Sequence, residues 1–159
     1  MSDDARFEDA QEGPLRLKAE RAEDVPVLAA LVQDAILPSS EIRWQPKRLR
    51  FAALINRFRW EDKSAAEAEA RPFERTRALL VVDSALAVRS SGVDPADKDL
   101  ILSILDLIFV EGEDGGGTLR LILAGDGEIA LDVECIDITL TDVTRPYAAP
   151  SGKAPHHDA

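Results

Sequence analysis

The chain has 159 residues, 45% of them apolar, which suits one domain large enough to bury its own core. Its formal net charge of −11 argues against broad binding to DNA, RNA or anionic membranes. The one cysteine, Cys135, excludes an intrachain disulfide and any multi-cysteine zinc site.

Residues 1–13, MSDDARFEDAQEG, are acidic and aperiodic, so disorder is expected; they lack the apolar stretch of a signal peptide. LRLKAE (15–20) alternates Leu15 and Leu17 with Arg16 and Lys18, as a strand does. Val25, Leu28, Val32, Ala35 and Ile36 recur at helical spacing. With Asp24 placed to cap, Pro26 in the first turn and Pro38 as a stop, they predict a helix over 25–37. EIRW (41–44) and RLRFAALINRFRW (48–60) read as a hairpin turning at Gln45-Pro46-Lys47. Residues 61–75 form a polar break with room for one helical turn, and are expected to be a flexible excursion. Residues 76–92 make one long strand, or two bent near Asp83-Ser84. The segment 99–112 fits both periods; its β-branched and aromatic content and the following EGEDGGG turn favour a strand. TLRLILAGDGEIALDVE folds back around Gly125-Asp126-Gly127, with Ile129, Leu131 and Val133 inward. Cys135-Ile136 suggests a bulge before the strand IDITLTDV. From Ala148 the tail is rich in Pro, Ala and small polar residues, and disorder is expected there too.

The sum is an α+β domain over 14–147: a curved or partly closed antiparallel sheet of seven or eight strands with one N-terminal helix. A pleckstrin-homology-like barrel is the alternative architecture. No run approaches ~18 apolar residues, so no membrane span is expected and a cytoplasmic location is the default.

Little catalytic chemistry is on offer. Both histidines, His156 and His157, lie in the tail, so the body has no imidazole for general-base work. GEDGGGT lacks a following lysine and carries acids, which suits a turn better than an anion cradle. Asp132 and Glu134 share a strand face, and Asp94, Asp97 and Asp99 share a loop, but neither set has calcium-loop spacing. Cys135, with no histidine beside it, reads as a buried inert thiol. No catalytic residue, metal or cofactor is expected.

The positive signal is basic. Between positions 41 and 60, Arg43, Lys47, Arg48, Arg50, Arg57 and Arg59 stand against one acid, Glu41; that segment is +5 and the remainder −16. On a strand, Arg57 and Arg59 point one way and Phe58 and Trp60 the other, so NRFRWE (56–61) is not an interleaved stacking surface. Arg48 and Arg50 make a second outward pair. The arginines either satisfy the chain's own carboxylates, including those of 61–75, or form a patch for an acidic partner or small anion. A third reading is a homodimer interface centred on Trp44 and Trp60.

EDVPVLAALVQDAIL, W-x-PKRLRFAALINRFRWE, LAVRSSGVD and LDVECIDITLTD resemble an uncharacterised alphaproteobacterial family, domain of unknown function 2948, over about residues 14–145. The resemblance implies a bacterial, cytoplasmic, single-domain protein and carries no activity. The function expected is therefore a non-enzymatic binding or interaction module using the hairpin arginines Arg43, Arg48, Arg50, Arg57 and Arg59. A carboxylate-based, possibly metal-dependent enzyme around Asp132 and Glu134 is the alternative. Neither nucleic acid nor membrane is an expected partner.

Overall fold

The computed structural model describes residues 14–94, 96–144, 147–148 and 155. Among the described residues eleven strands make one antiparallel sheet: β1 (Arg16–Ala19), β2 (Ile36–Pro38), β3 (Ile42–Gln45), β4 (Arg50–Phe58), β5 (Glu74–Val82), β6 (Ala85–Ser91), β7 (Ile101–Glu111), β8 (Gly117–Leu123), β9 (Glu128–Val133), β10 (Ile138–Asp142) and β11 (Tyr147–Ala148). The α-helices are α1 (Val25–Val32) and α2 (Lys63–Ala68). Across the sheet the order is β1-β10-β5-β4-β2-β7-β8-β9-β6, with β3 also beside β4 and β11 beside β5. β1 and β6 are the two ends, so the sheet is open and the closed-barrel alternative does not describe it. Core side chains come from both ends, from Leu17 of β1 to Ala85 of β6, and meet Leu28, Leu31 and Val32 of α1. One core drawing on both ends requires the sheet to bend around the helix.

The predicted helix is shorter than its periodicity. α1 ends at Val32, and Asp34 then takes a left-handed conformation (φ 64°) and donates its N–H to the Ile104 carbonyl at 2.7 Å. Aspartate tolerates that region better than most residues. Ala35 and Leu37 are buried while Ile36 is exposed, so the residues that seemed to continue the helix alternate as a strand instead. This extra strand, the short β11 and the division at Ser84 (φ 58°) into β5 and β6 raise the count above seven or eight.

The segment 99–112 is a strand, and its double periodicity has a cause. Pairing of β7 with β8 shifts register between Ile104 and Asp106, so the buried positions pass from Leu102 and Ile104 to Leu107. A bulge of this kind flips the phase of everything beyond it. Glu134–Asp137 is not a bulge but the crossing from β9 to β10, which lie in distant parts of the sheet. The disorder expected for 1–13 concerns residues outside those described, as does nearly all of the tail from Ala148.

Candidate functional site

The hairpin forms as β3 and β4, with Arg43 opposite Ala52 and Trp44 opposite Phe51; Leu49 turns the chain at φ 50°. Strand parity then decides the arginines. Phe51, Ala53 and Ile55 face the core, and Arg57 is the next residue on that face. The outward direction expected for Arg57 and Arg59 is reversed: they are 0% and 6% exposed. Phe58, on the other parity, is also buried, against the Trp60 ring at 4.6 Å and Phe73 at 5.8 Å.

Arg57 spends both edges of its guanidinium on carboxylates. Nε and Nη2 donate to Asp142 at 2.9 Å each; Nη1 and Nη2 donate to Glu61 at 2.9 and 2.6 Å. Asp142 Oδ2 also accepts the Leu15 N–H at 2.8 Å, so one arginine ties β1, β10 and the turn after β4 together. Burial is the largest single influence on the Arg57 pKa and pushes it down, but the hydrogen bonds it donates to Glu61 and Asp142, together with their negative charge, outweigh it and the net shift is upward. Paired forks are the geometry that can repay desolvation of a guanidinium. Arg59 donates to Glu74 at 2.5 Å, and Arg71 holds Asp62 by two bonds of 2.6 and 2.7 Å. Arg71's fork is the largest influence on Asp62 and holds its carboxyl below the usual value of 3.8 despite the opposing effect of burial. The 61–75 segment is thus no mere excursion: it delivers Glu61, Asp62 and Glu74 to three arginines and contains α2.

The other candidates lie apart. Arg50 pairs with Asp83 at 2.8 Å, Arg43 donates to the carbonyls of Ser40 and Ile42, and Arg48 is exposed. Trp44 packs against the core, and Trp60 donates Nε1–H to the Gln33 carbonyl at 2.8 Å. Trp44 lies opposite Phe51 and Trp60 lies beyond Phe58, seven residues further on; that run of strand spans roughly 23 Å. The two rings therefore sit at opposite ends of β4. Asp132 is held by Arg89 and Thr118, while Glu134 is exposed. Asp94 and Asp97 accept backbone N–H groups within their own loop. Among the described residues no three His, Cys, Asp or Glu side chains gather as a metal site. Cys135 is exposed, not buried as expected; it lies on the crossing to β10, outside the strand that would have covered it. His156 and His157 fall outside the described residues.

What the registers do assemble is a surface on the sheet face opposite the core. Arg16 is paired with Thr141, Thr141 with Leu79, and Leu79 with Leu54. One row along, Arg77 lies opposite Asn56, and Asn56 opposite Ile36; on the other side, Val81 lies opposite Ala52 and Ala52 opposite Arg43. Ile36 and Ile101 are 41% and 61% exposed. Where β2 and β4 diverge, a hollow of about 230 Å³ opens between Ile36, Pro38, Leu54, Arg77 and Ile101, with Glu41 at its rim. Arg16, Arg43 and Arg77 stand around this apolar strip, and no described carboxylate pairs with any of the three. Sequence reasoning passed over Arg16 and Arg77, although Arg16 stands between Leu15 and Leu17 and Arg77 between Thr76 and Ala78, all four buried, so that each faces outward.

Fold and surface together define an α+β domain built on an open, bent antiparallel sheet, with one face on the core and the other carrying a cation-rimmed apolar strip. Residues 15–157 match the family model described as a protein of unknown function, DUF2948, and the chain belongs to that family. No curated protein and no solved structure matches the chain. Among the described residues no helix is long and apolar enough to cross a membrane.

Proposed function

We propose that the protein is a non-enzymatic interaction module whose outer sheet face takes an acidic partner protein. The observation that supports this is the set Arg16, Arg43 and Arg77, without described carboxylate partners, around Ile36, Leu54, Leu79 and Ile101 in a chain of net charge −11. Cations left uncompensated in an acidic protein favour an anionic surface, and the apolar strip favours a protein over a phosphate track. The surface keeps Arg43 from the hairpin expected to bind, but draws its other cations from β1 and β5. A bacterial, cytoplasmic setting belongs to the same reading.

The test compares cross-linked partners of the wild type with those of Arg16→Glu/Arg77→Glu and of Ile101→Asp. Under this reading one acidic protein is lost from both variants, and its purified complex weakens as salt rises. Identical partner sets would end the reading. Retained binding to duplex DNA, RNA or phosphatidylserine vesicles, with no protein lost, would reassign the surface to a polyanion.

A further inference from the structure

A second surface is carried by a different observation, the backbone of β7. Gly112 donates its N–H to the Gly116 carbonyl at 2.8 Å, and β7 pairs with β8 in the same register from Asp106 to Glu111. Antiparallel ladders alternate, so Asp106, Ile108 and Val110 turn their backbone groups to β8, and Leu107, Phe109 and Glu111 turn theirs away. On that away side β2 covers only Ile101–Ser103, and the last bonds beyond it are those of Ile104 with Asp34 and Ala35. The Leu107 N–H is taken by Asp106 Oδ1 at 2.8 Å. The Leu107 carbonyl and both backbone groups of Phe109 and Glu111 have no partner among the described residues. This is an open strand edge five residues long.

The edge borders a groove of about 480 Å³. One wall is β7 from Leu105 to Phe109; the other is a single stripe of α1 and the turn before it, Ala22, Val25, Pro26, Ala29, Ala30 and Gln33. Apart from Gln33 and Asp106 the lining side chains are apolar, and no cation is among them. Asp106 and Glu111 are exposed along the edge, and Glu113 and Asp114 follow in the next turn. Exposed edges are templates for another strand. An edge beside a helix-walled groove is the arrangement by which extended peptides add to a sheet, with main-chain bonds supplying affinity and pockets reading alternate side chains.

We propose that the α1–β7 groove is a strand-addition site for an extended segment of a partner protein, apolar at alternate positions and carrying a lysine or arginine for Asp106. Main-chain pairing with Phe109 and Glu111 sets the register, and the helix stripe receives the apolar side chains. The site is independent of the outer sheet face, and its test does not use that face.

Amide hydrogen exchange of the free, full-length chain comes first. Phe109 and Glu111 should exchange at least 100-fold faster than Ile108 and Val110. Equal protection would show the edge already covered by the chain itself and would overturn the proposal. A displayed library of random twelve-residue peptides is then selected on the full chain. Enriched peptides should alternate apolar residues with a basic one and protect the Phe109 and Glu111 amides when bound. Ala30→Trp, which fills the groove from an exposed helix position, should weaken them at least tenfold with circular dichroism unchanged. Gln33→Trp repeats that test from the other end of the groove if Ala30→Trp fails to fold. Absence of enrichment over the filled variant, or peptides indifferent to it, would refute strand addition here. Asp106→Lys should shift selection from basic to acidic peptides; an unchanged preference would refute the assigned charge.

Discussion

Replacing Arg57 by methionine removes the cation and most of its hydrogen bonds while keeping part of its volume. Asp142, 1% exposed, is then left without a counter-charge, and Glu61, 0% exposed, keeps only the looser contact with Arg59 Nε at 3.7 Å. Removing one partner of a buried pair costs about 3–5 kcal/mol, because the remaining charge stays desolvated. One carboxylate loses its only cation here and the other its closest one, so a loss within that range is expected. For a chain of this size it is a fall of about 10 °C or more in melting temperature. The measurement is urea unfolding followed by the fluorescence of Trp44 and Trp60, with the m-value checked for constancy so that midpoints report stability. The informative control is Arg57→Met/Glu61→Gln/Asp142→Asn, which deletes all three charges and keeps a side-chain oxygen for the Leu15 N–H. It should be more stable than Arg57→Met alone, since the penalty lies in the orphaned carboxylates and not in the absent ion pair. A single-variant loss under about 1 kcal/mol, or costs that simply add across the three sites, would refute the claim that these charges exist for one another.

Acid should expose the second half of the network. Asp62 has its folded pKa below 3.8, so its contribution is present above the unfolded value and lost as pH falls through the folded one. Urea midpoints should therefore drop below about pH 4, and Asp62→Asn should flatten that part of the profile. Gly117→Ala should destabilise by about 1–3 kcal/mol in thermal unfolding, since an added Cβ would run into the Val110 carbonyl oxygen and meet the Phe109 ring at 2.8 Å. Trp60→Phe keeps the ring against Phe58 but loses the bond to the Gln33 carbonyl. It should cost about 1 kcal/mol by the same assay. Arg16→Glu/Arg77→Glu, on the open sheet face, should move stability by no more than about 0.5 kcal/mol per site, and a larger loss would mean these side chains are structural.

The strands were legible because two-residue alternation is local. Leu15 and Leu17, Phe51 to Ile55, and Ile129 to Val133 each carry it in plain view and each faces the core. Where alternation failed to show, a tertiary event had altered the phase. The β7 bulge mixed two periods, and the hydrogen bonds of Ile104 with Asp34 and Ala35 converted the end of a helical pattern into β2. Arg57 was misplaced for a different reason. Its parity with Phe51, Ala53 and Ile55 already put it on the core face, and Glu61 four residues on was a visible partner, but charge argued outward. The deciding partner, Asp142, lies 85 positions away.

By itself the sequence determined the strand-rich α+β class, the inward apolar sets of the regularly alternating strands, the scarcity of imidazole and the acidic balance. These follow from residue type and from the period of an extended chain, both readable without knowing what lies alongside. Only the tertiary structure decided which strands are neighbours, and with that every property built from side chains of different strands. The ion network joining Arg57 to Asp142, the meeting of Arg16, Arg77 and Arg43 around one apolar strip, and the open edge of β7 beside α1 are all of this kind. Sheet order is set by bonds between segments far apart in the chain, whose pairing no local pattern encodes.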